Sequence, residues 1–434
     1  MLYTRLKVVL ATFLLLLGAS SAKSISLLRD SDIENSLKEL AQPILNAAGI
    51  NSSNFQILVV DSATLNAFVI DQNHIFIHSG LILKLSSAAQ LQAVIAHEAA
   101  HIANGHIARR MANTRKAKIT STFGTLIAIA AAAGGQSKAG FGIALGTANS
   151  ANRVLLAHTR NEESSADRSA VHYLNEVNLN SNAMIEVFKI FEQQINFSLK
   201  RQDPYTRSHP LDRDRINALT QLTSTQPNHS TSPENKYFFS RLHTKLAAFR
   251  NDPGWGLEKP TSNEHLDLMQ KAISNHRLGQ VQEAINFIGN LVTLKPKDPY
   301  YRELQGQILL ENRKYSEAIN AYRSATKLAP NDPLILGGYG KALLTQNKQI
   351  NDIEALKVLK IAQNLDSKDA NILYHLGRAF SRAGKIGEAS LATAQRYALQ
   401  GDIKNAILQA KRAEAILPRG SVAWQNTQDI IYGF

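Results

Sequence analysis

Two prolines set the frame for the second half of the chain. Pro296 and Pro330 stand 34 residues apart, and small residues precede each of them. Counting back from Pro296 gives Ala272 and Ala284, and counting back from Pro330 gives Gly306, Ala318, Tyr322 and Ala325. Small residues at such places let paired helices cross closely, and a helix–turn–helix pair fits a repeat of this length. Gly340, Ala355 and Ala362 continue the pattern in a unit lengthened by about three residues. Gly377, Phe380 and Ala389 follow, and Ala406, Ala410, Ala413 and Pro418 close the array, the last unit sharing a helix with its predecessor.

The period is that of tetratricopeptide repeats, here about four units over 261–434. Such units bury a core only by stacking, and the stack leaves a concave face for a polypeptide partner. Capping and shielding a neighbouring domain is a second use, and the two do not exclude each other.

The first half is organised around His97-Glu98-Ala99-Ala100-His101. The preceding run from Ala88 to Ala96 is rich in helix formers and lacks proline. Histidines four apart share one helical face, where both imidazoles can bind one metal. Glu98 is placed to take a proton from water activated by that metal. A catalytic zinc needs a third protein ligand. His106 lies five residues beyond His101, off the helical register, and is not taken as that ligand. Glu163 and Asp167, again four apart, are the candidates: Glu163 to reach the metal, Asp167 to hold the far nitrogen of a ligating histidine. A solvated acidic turn is the plain alternative for Glu162, Glu163 and Asp167, weakened by their density in a chain with 35 acids against 48 bases.

Arg5 and Lys7 precede an apolar stretch from Val8 to Leu17 and then small residues to Ala22, so 1–22 reads as a secretory signal cleaved near Ala22. The chain has no cysteine, which removes disulfides, a thiolate nucleophile and lipid attachment on cysteine. Its net charge of +13 is scattered, without an aromatic platform, and predicts no nucleic-acid partner. Residues 23–260 form the expected catalytic domain. Residues 32–49 read as a helix, and 55–60, 66–70 and 75–77 as short strands. Residues 184–197 form a further helix, 221–235 a polar linker or mobile loop, and 238–249 a helix. The small-residue, apolar stretch 119–148 reads as a hairpin acting as a lid, as a membrane-surface contact favoured by Arg115, Lys116 and Lys118, or as ordinary core. His209, in the loop Ser208-His209-Pro210, can cap the metal, stabilise an oxyanion, or be structural. Arg215 is expected to pair with Asp212 or with a carboxylate near the metal.

These motifs, taken in order, resemble the gluzincin metallopeptidases of the HtpX and CAAX-prenyl-protease type, most closely the periplasmic BepA-like branch with C-terminal repeats. The resemblance runs from Arg29-Asp30-Ser31-Asp32-Ile33-Glu34 through Asn66-Ala67-Phe68, His74 to Leu81 and His97-Glu98-x-x-His101 with Gly105-His106. It continues through Arg160-x-x-Glu163-x-x-Ala166-Asp167 and Ser208-His209-Pro210 with Arg215-Ile216. Ala100, where many relatives have glycine, is a mild departure. The resemblance implies an α+β peptidase domain with a small sheet beside the zinc helix, then an all-α repeat array. It implies one Zn2+ per chain held by His97, His101 and Glu163, with Glu98 and Asp167 catalytic. Substrate would lie along the edge strand Asn66-Ala67-Phe68, bound by its backbone. The implied role is a periplasmic metalloendopeptidase that degrades misfolded or stalled envelope proteins, its repeats recruiting substrate or outer-membrane assembly proteins. A chaperone-like adaptor with latent protease activity is the rival.

Overall fold

The computed structural model describes residues 26–52, 55–110, 159–197, 209–210 and 213–433. The signal at 1–22, the stretch 119–148 with the basic run before it, and Ser208 and Asp212 lie outside the described residues.

Strands of alternating pleat send successive side chains to opposite faces, and here both faces are buried. β1 (Leu27–Leu28), β2 (Gln56–Val60), β3 (Ala67–Val69) and β4 (His74–His78) form one sheet in the order β1-β2-β4-β3. β2 and β4 run parallel, and the other two pairings are antiparallel. Ile57, Val59, Ala67, Val69, Ile75 and Ile77 enter the main core with the helices of the first half. The intervening Leu58, Val60, Phe68 and Phe76 form a second cluster with Leu373 and Leu399 of the repeat array. The repeats thus supply the second apolar layer of the sheet, which explains why β2 and β4 read as unbroken apolar runs.

Three helices position the site. α1 (Ser31–Ala47) is capped by the Asp30 side chain, buries Ile33, Leu37, Leu40, Ala41 and Ile44, and ends where Gly49 takes φ +67°. α2 (Ser79–Lys84) links the sheet to α3 (Ala88–Ala103), which is capped by Ser87 and buried on every face from Ala88 to His101. α4 (Arg160–Glu176) opens on a capping box in which Thr159 and Glu162 satisfy each other's backbone N–H groups. α5 (Ala183–Phe197) and α6 (Arg213–Ser224) complete this half.

α7 (Pro233–Arg250) begins earlier than the polar composition of 221–235 predicts. Ser232 caps it and Pro233 fills the first turn, where the missing N–H is harmless, so the linker shrinks to the residues between Ser224 and Ser232. After α8 (Trp255–Glu258) come α9 (Glu264–Arg277) to α18 (Val422–Tyr432), five antiparallel pairs where the proline spacing suggests about four. The intermediate helices are α10 (Val281–Leu294), α11 (Pro299–Glu311), α12 (Tyr315–Leu328), α13 (Pro333–Leu343), α14 (Gln349–Leu365), α15 (Ala370–Arg382), α16 (Ile386–Leu399) and α17 (Ile403–Glu414). The final pair follows Gly401 at φ +77°, without the Asp-Pro start of α11 and α13. Among the described residues no helix is long and apolar enough to cross a membrane.

Charge ties the two halves together. Asp298, Asp332 and Asp369 each cap a repeat helix with one oxygen, and all three also meet residues outside the repeats. Arg241 bonds Asp298 at 2.6 and 2.9 Å and Asp32 at 2.5 Å. Ser31 bonds Asp332 at 3.0 Å, and Arg29 bonds Asp369 at 3.0 Å, Asp366 at 2.7 Å and Glu34 at 2.6 Å. Lys245, fully buried, holds Asp30 at 2.8 Å.

Candidate metal centre

Four side chains from three segments converge: His97 and His101 of α3, Glu163 of α4, and His209. One donor atom from each lies within 4.8 Å of all the others, and all four residues are buried. The one-turn spacing on α3 brings the two Nε2 atoms to 3.1 Å. Glu163 Oε1 stands 3.3 Å from His101 Nε2 and 3.0 Å from His209 Nδ1, and His209 Nδ1 is 3.3 Å from His97 Nε2. Donors placed tetrahedrally about 2.0–2.1 Å from a zinc ion lie about 3.3–3.4 Å apart, so these separations fit a single small cation. Three imidazoles and a carboxylate also match zinc's donor preference. Glu98 supports the fit: it is fully buried, and neither carboxylate oxygen has a hydrogen-bond partner among the described residues.

The surroundings orient the donors. His97 Nδ1 faces Asp167 Oδ1 at 3.1 Å, leaving Nε2 for the cluster. Arg215 bonds Asp167 through Nε at 2.6 Å and Nη2 at 2.9 Å, and reaches Glu163 Oε2 through Nη1 at 2.6 Å. Its Nη1 also bonds the Pro210 carbonyl at 3.1 Å, anchoring the residue beside His209, and its guanidinium lies 4.8 Å over the Phe188 ring. The expectation that Arg215 pairs with a carboxylate near the metal is the arrangement found. His106, off register as a donor, instead places Nδ1 2.9 Å from His101 Nδ1. Gly105 makes this approach possible by reversing the chain at φ +69° after α3.

Burial and partners set the charges. Burial works against charge on His97, but Asp167 and Glu163 outweigh it and raise the imidazole to about 9. Burial keeps His101 well below the usual histidine range and pushes Glu98 up. Burial opposes ionisation of Glu163 and Asp167 too. The histidines hold Glu163 well below the usual carboxylate range, and Arg215 with His97 lowers Asp167. The cluster can therefore hold two anions and two cations with little net charge.

Ala67–Val69 is an edge strand of the described sheet, paired on one side with β4. Phe68 does not line the metal cluster. It stacks on Phe76 at 5.2 Å in the layer facing the repeats, while Ala67 is buried in the main core on the opposite face and Asn66 is buried just before the strand.

Residues 28–223 match the profile of Peptidase family M48, and residues 303–349 match a tetratricopeptide-repeat profile. The beta-barrel assembly-enhancing protease of Escherichia coli K12 is 24% identical over 407 residues, covering 92% of this chain and 82% of that one. A Vibrio cholerae protein provisionally assigned the same name is 26% identical over 407 residues, 91% of this chain and 82% of its own. A shorter likeness, 37% over 62 residues, extends to human mitochondrial metalloendopeptidase OMA1, covering 14% of this chain and 12% of that one. The chain thus carries an M48-type peptidase domain followed by a tetratricopeptide-repeat array, distantly related to the beta-barrel assembly-enhancing proteases.

Proposed function

We propose that this M48-type chain is a zinc metalloendopeptidase of the bacterial periplasm, acting on misfolded or stalled envelope proteins. The observation that carries the reading is the convergence of four buried donors beside a buried glutamate that accepts no hydrogen bond among the described residues and faces His209 Nε2 at 3.5 Å. His97, His101 and Glu163 would hold one Zn2+, which when bound supplies a Lewis acid that polarises the scissile carbonyl and acidifies water. Glu98 is the base. Burial raises its carboxyl above the ordinary carboxylate range, which strengthens it as the group that takes a proton from water and hands it to the leaving amine. Asp167 fixes the ring of His97, and Arg215 fixes Asp167 and the outer oxygen of Glu163. The outer edge of Ala67–Val69 is the place for an extended substrate backbone.

His209 completes the donor set, so the resting enzyme is self-capped: a fourth protein donor takes the position that a catalytic site keeps open. This observation also favours the second reading, an envelope adaptor or chaperone with latent proteolysis. Cleavage of casein by the mature chain, by Glu98→Gln and by His209→Ala separates them. The peptidase reading expects loss in Glu98→Gln and a gain in His209→Ala. Absence of cleavage in every form, with the cellular role surviving Glu98→Gln, supports the adaptor. The periplasmic setting and a partner among outer-membrane assembly proteins rest on the resemblance to the beta-barrel assembly-enhancing proteases.

A further inference from the structure

A groove of about 280 Å3 runs between α15, α16 and α17, floored by Ala389, Ser390 and Thr393 of α16. Arg378 of α15, Arg396 of α16 and Arg412 of α17 line it, and no aspartate or glutamate does. Among the described residues none of these three arginines has a carboxylate partner. Elsewhere in the array arginines meet acids, as Arg382 does with Asp352 at 2.6 Å. The guanidinia of Arg378 and Arg396 both lie over the Tyr374 ring, 5.9 and 5.4 Å from its centroid, and Arg396 also lies 4.7 Å over Tyr397. Ring faces hold cations in place without neutralising them. The surroundings do not neutralise them either: residues 370–420 contain eight lysines and arginines against three acids.

We propose that this groove binds a carboxylate of an acidic polypeptide segment. A guanidinium presents its donors in a planar fork matched to a carboxylate, and one already stacked on aromatic rings loses less freedom on binding. Two cations sharing one ring repel each other, and an anion between them turns that repulsion into attraction. The groove is smaller than the roughly 300–1,000 Å3 of small-molecule pockets, so it suits a side chain or chain end. Gly377, Ile386 and Ala389 share the lining with the arginines, so the short methylene stem of an aspartate or glutamate can rest there while its carboxylate meets the guanidinia, whereas about 280 Å3 is too little for a lipid acyl chain. The site is built wholly from repeat helices and stands whether or not the metal cluster is catalytic.

The test is fluorescence polarisation of the full mature protein with a short labelled peptide of serine, aspartate and glutamate. The same peptide with asparagine and glutamine is compared, as are its free-carboxylate and amidated forms, which separate a side-chain from a terminal carboxylate. Arg412→Glu, on an exposed residue without ring contacts, should weaken binding by about tenfold or more, the worth of one charged contact. Arg396→Ala should do the same. Arg419→Glu, outside the groove, should change it by less than about threefold, since screening limits its reach. Equal binding of the acidic and neutral peptides, or an unchanged affinity in Arg412→Glu, would overturn the proposal. So would capture of phosphatidylglycerol vesicles that depends on Arg412 while neither peptide binds.

Discussion

Arg215 is the point at which the stability of the fold and the readiness of the metal centre meet. Arg215→Met keeps an unbranched stem as far as the position of Nε and removes the guanidinium charge. Three bonds to carboxylates vanish, at 2.6, 2.6 and 2.9 Å, inside a site where Arg215, Glu163 and Asp167 are all buried. Breaking a buried ion pair by deleting one partner costs about 3–5 kcal/mol, because the other charge stays buried. The charge balance sharpens the expectation. With Arg215 gone, Asp167 keeps only His97 and Glu163 keeps the histidines, so both carboxyls move back up from their lowered values. Carboxyls held below their ordinary range support the fold above about pH 4 and withdraw that support as pH falls through their folded values. The variant's loss of stability should therefore be larger at pH 7 than at pH 3.5. In urea unfolding of the chelator-treated peptidase, the midpoint should fall accordingly. Zinc affinity, read by competition with a chromophoric chelator, should fall about 10–100-fold as Glu163 and Asp167 lose their orientation. A variant that unfolds like the parent at both pH values and binds zinc equally well would refute the assignment.

Lys245→Ala should lower stability by about 3 kcal/mol, since it removes the cation that partly buried Asp30 bonds at 2.8 Å and leaves Asp32 with Arg241 alone; chemical denaturation reads this, and Lys245→Arg should restore part of it. Gly306→Ala should cost about 1–3 kcal/mol, because a Cβ there would stand 2.6 Å from the Tyr322 ring; thermal unfolding of the repeat array checks it. His78, bonded to Thr64 at 2.7 Å, is lowered by burial to about 4 from an ordinary value near 6.5. Its neutral ring supports the fold fully above pH 6.5, and that support is lost as pH falls toward 4, in all about 3 kcal/mol. Urea midpoints at pH 7 and pH 4.5 should differ less in His78→Gln than in the parent.

What the sequence revealed about the site follows the reach of local periodicity. His97 with His101, and Glu163 with Asp167, are one helical turn apart, so each pair's common face can be read without knowing the fold. Which carboxylate Arg215 meets is not legible locally, because its partners lie 48 and 52 residues earlier and are joined only by packing. His106, five residues from His101, has no helical register that points to its contact. Gly105 gave the signal, since a left-handed turn lets a residue beyond the helix fold back on it. The repeats were legible from Pro296 and Pro330, while the last helix pair lacks that mark. The docking of Leu373 and Leu399 on the sheet left only an indirect trace, the unbroken apolar runs at 57–60 and 75–77. Long-range contacts of that kind have no period to read.

X-ray absorption at the zinc edge, with metal content measured on the same purified mature chain, tests the central claim most directly. The account predicts about one zinc per chain, bound at about 2.0–2.1 Å by imidazole nitrogen and one carboxylate oxygen, with the metal largely lost in Glu163→Ala. A chain that takes up no stoichiometric zinc, or that keeps it unchanged without Glu163, would contradict the account.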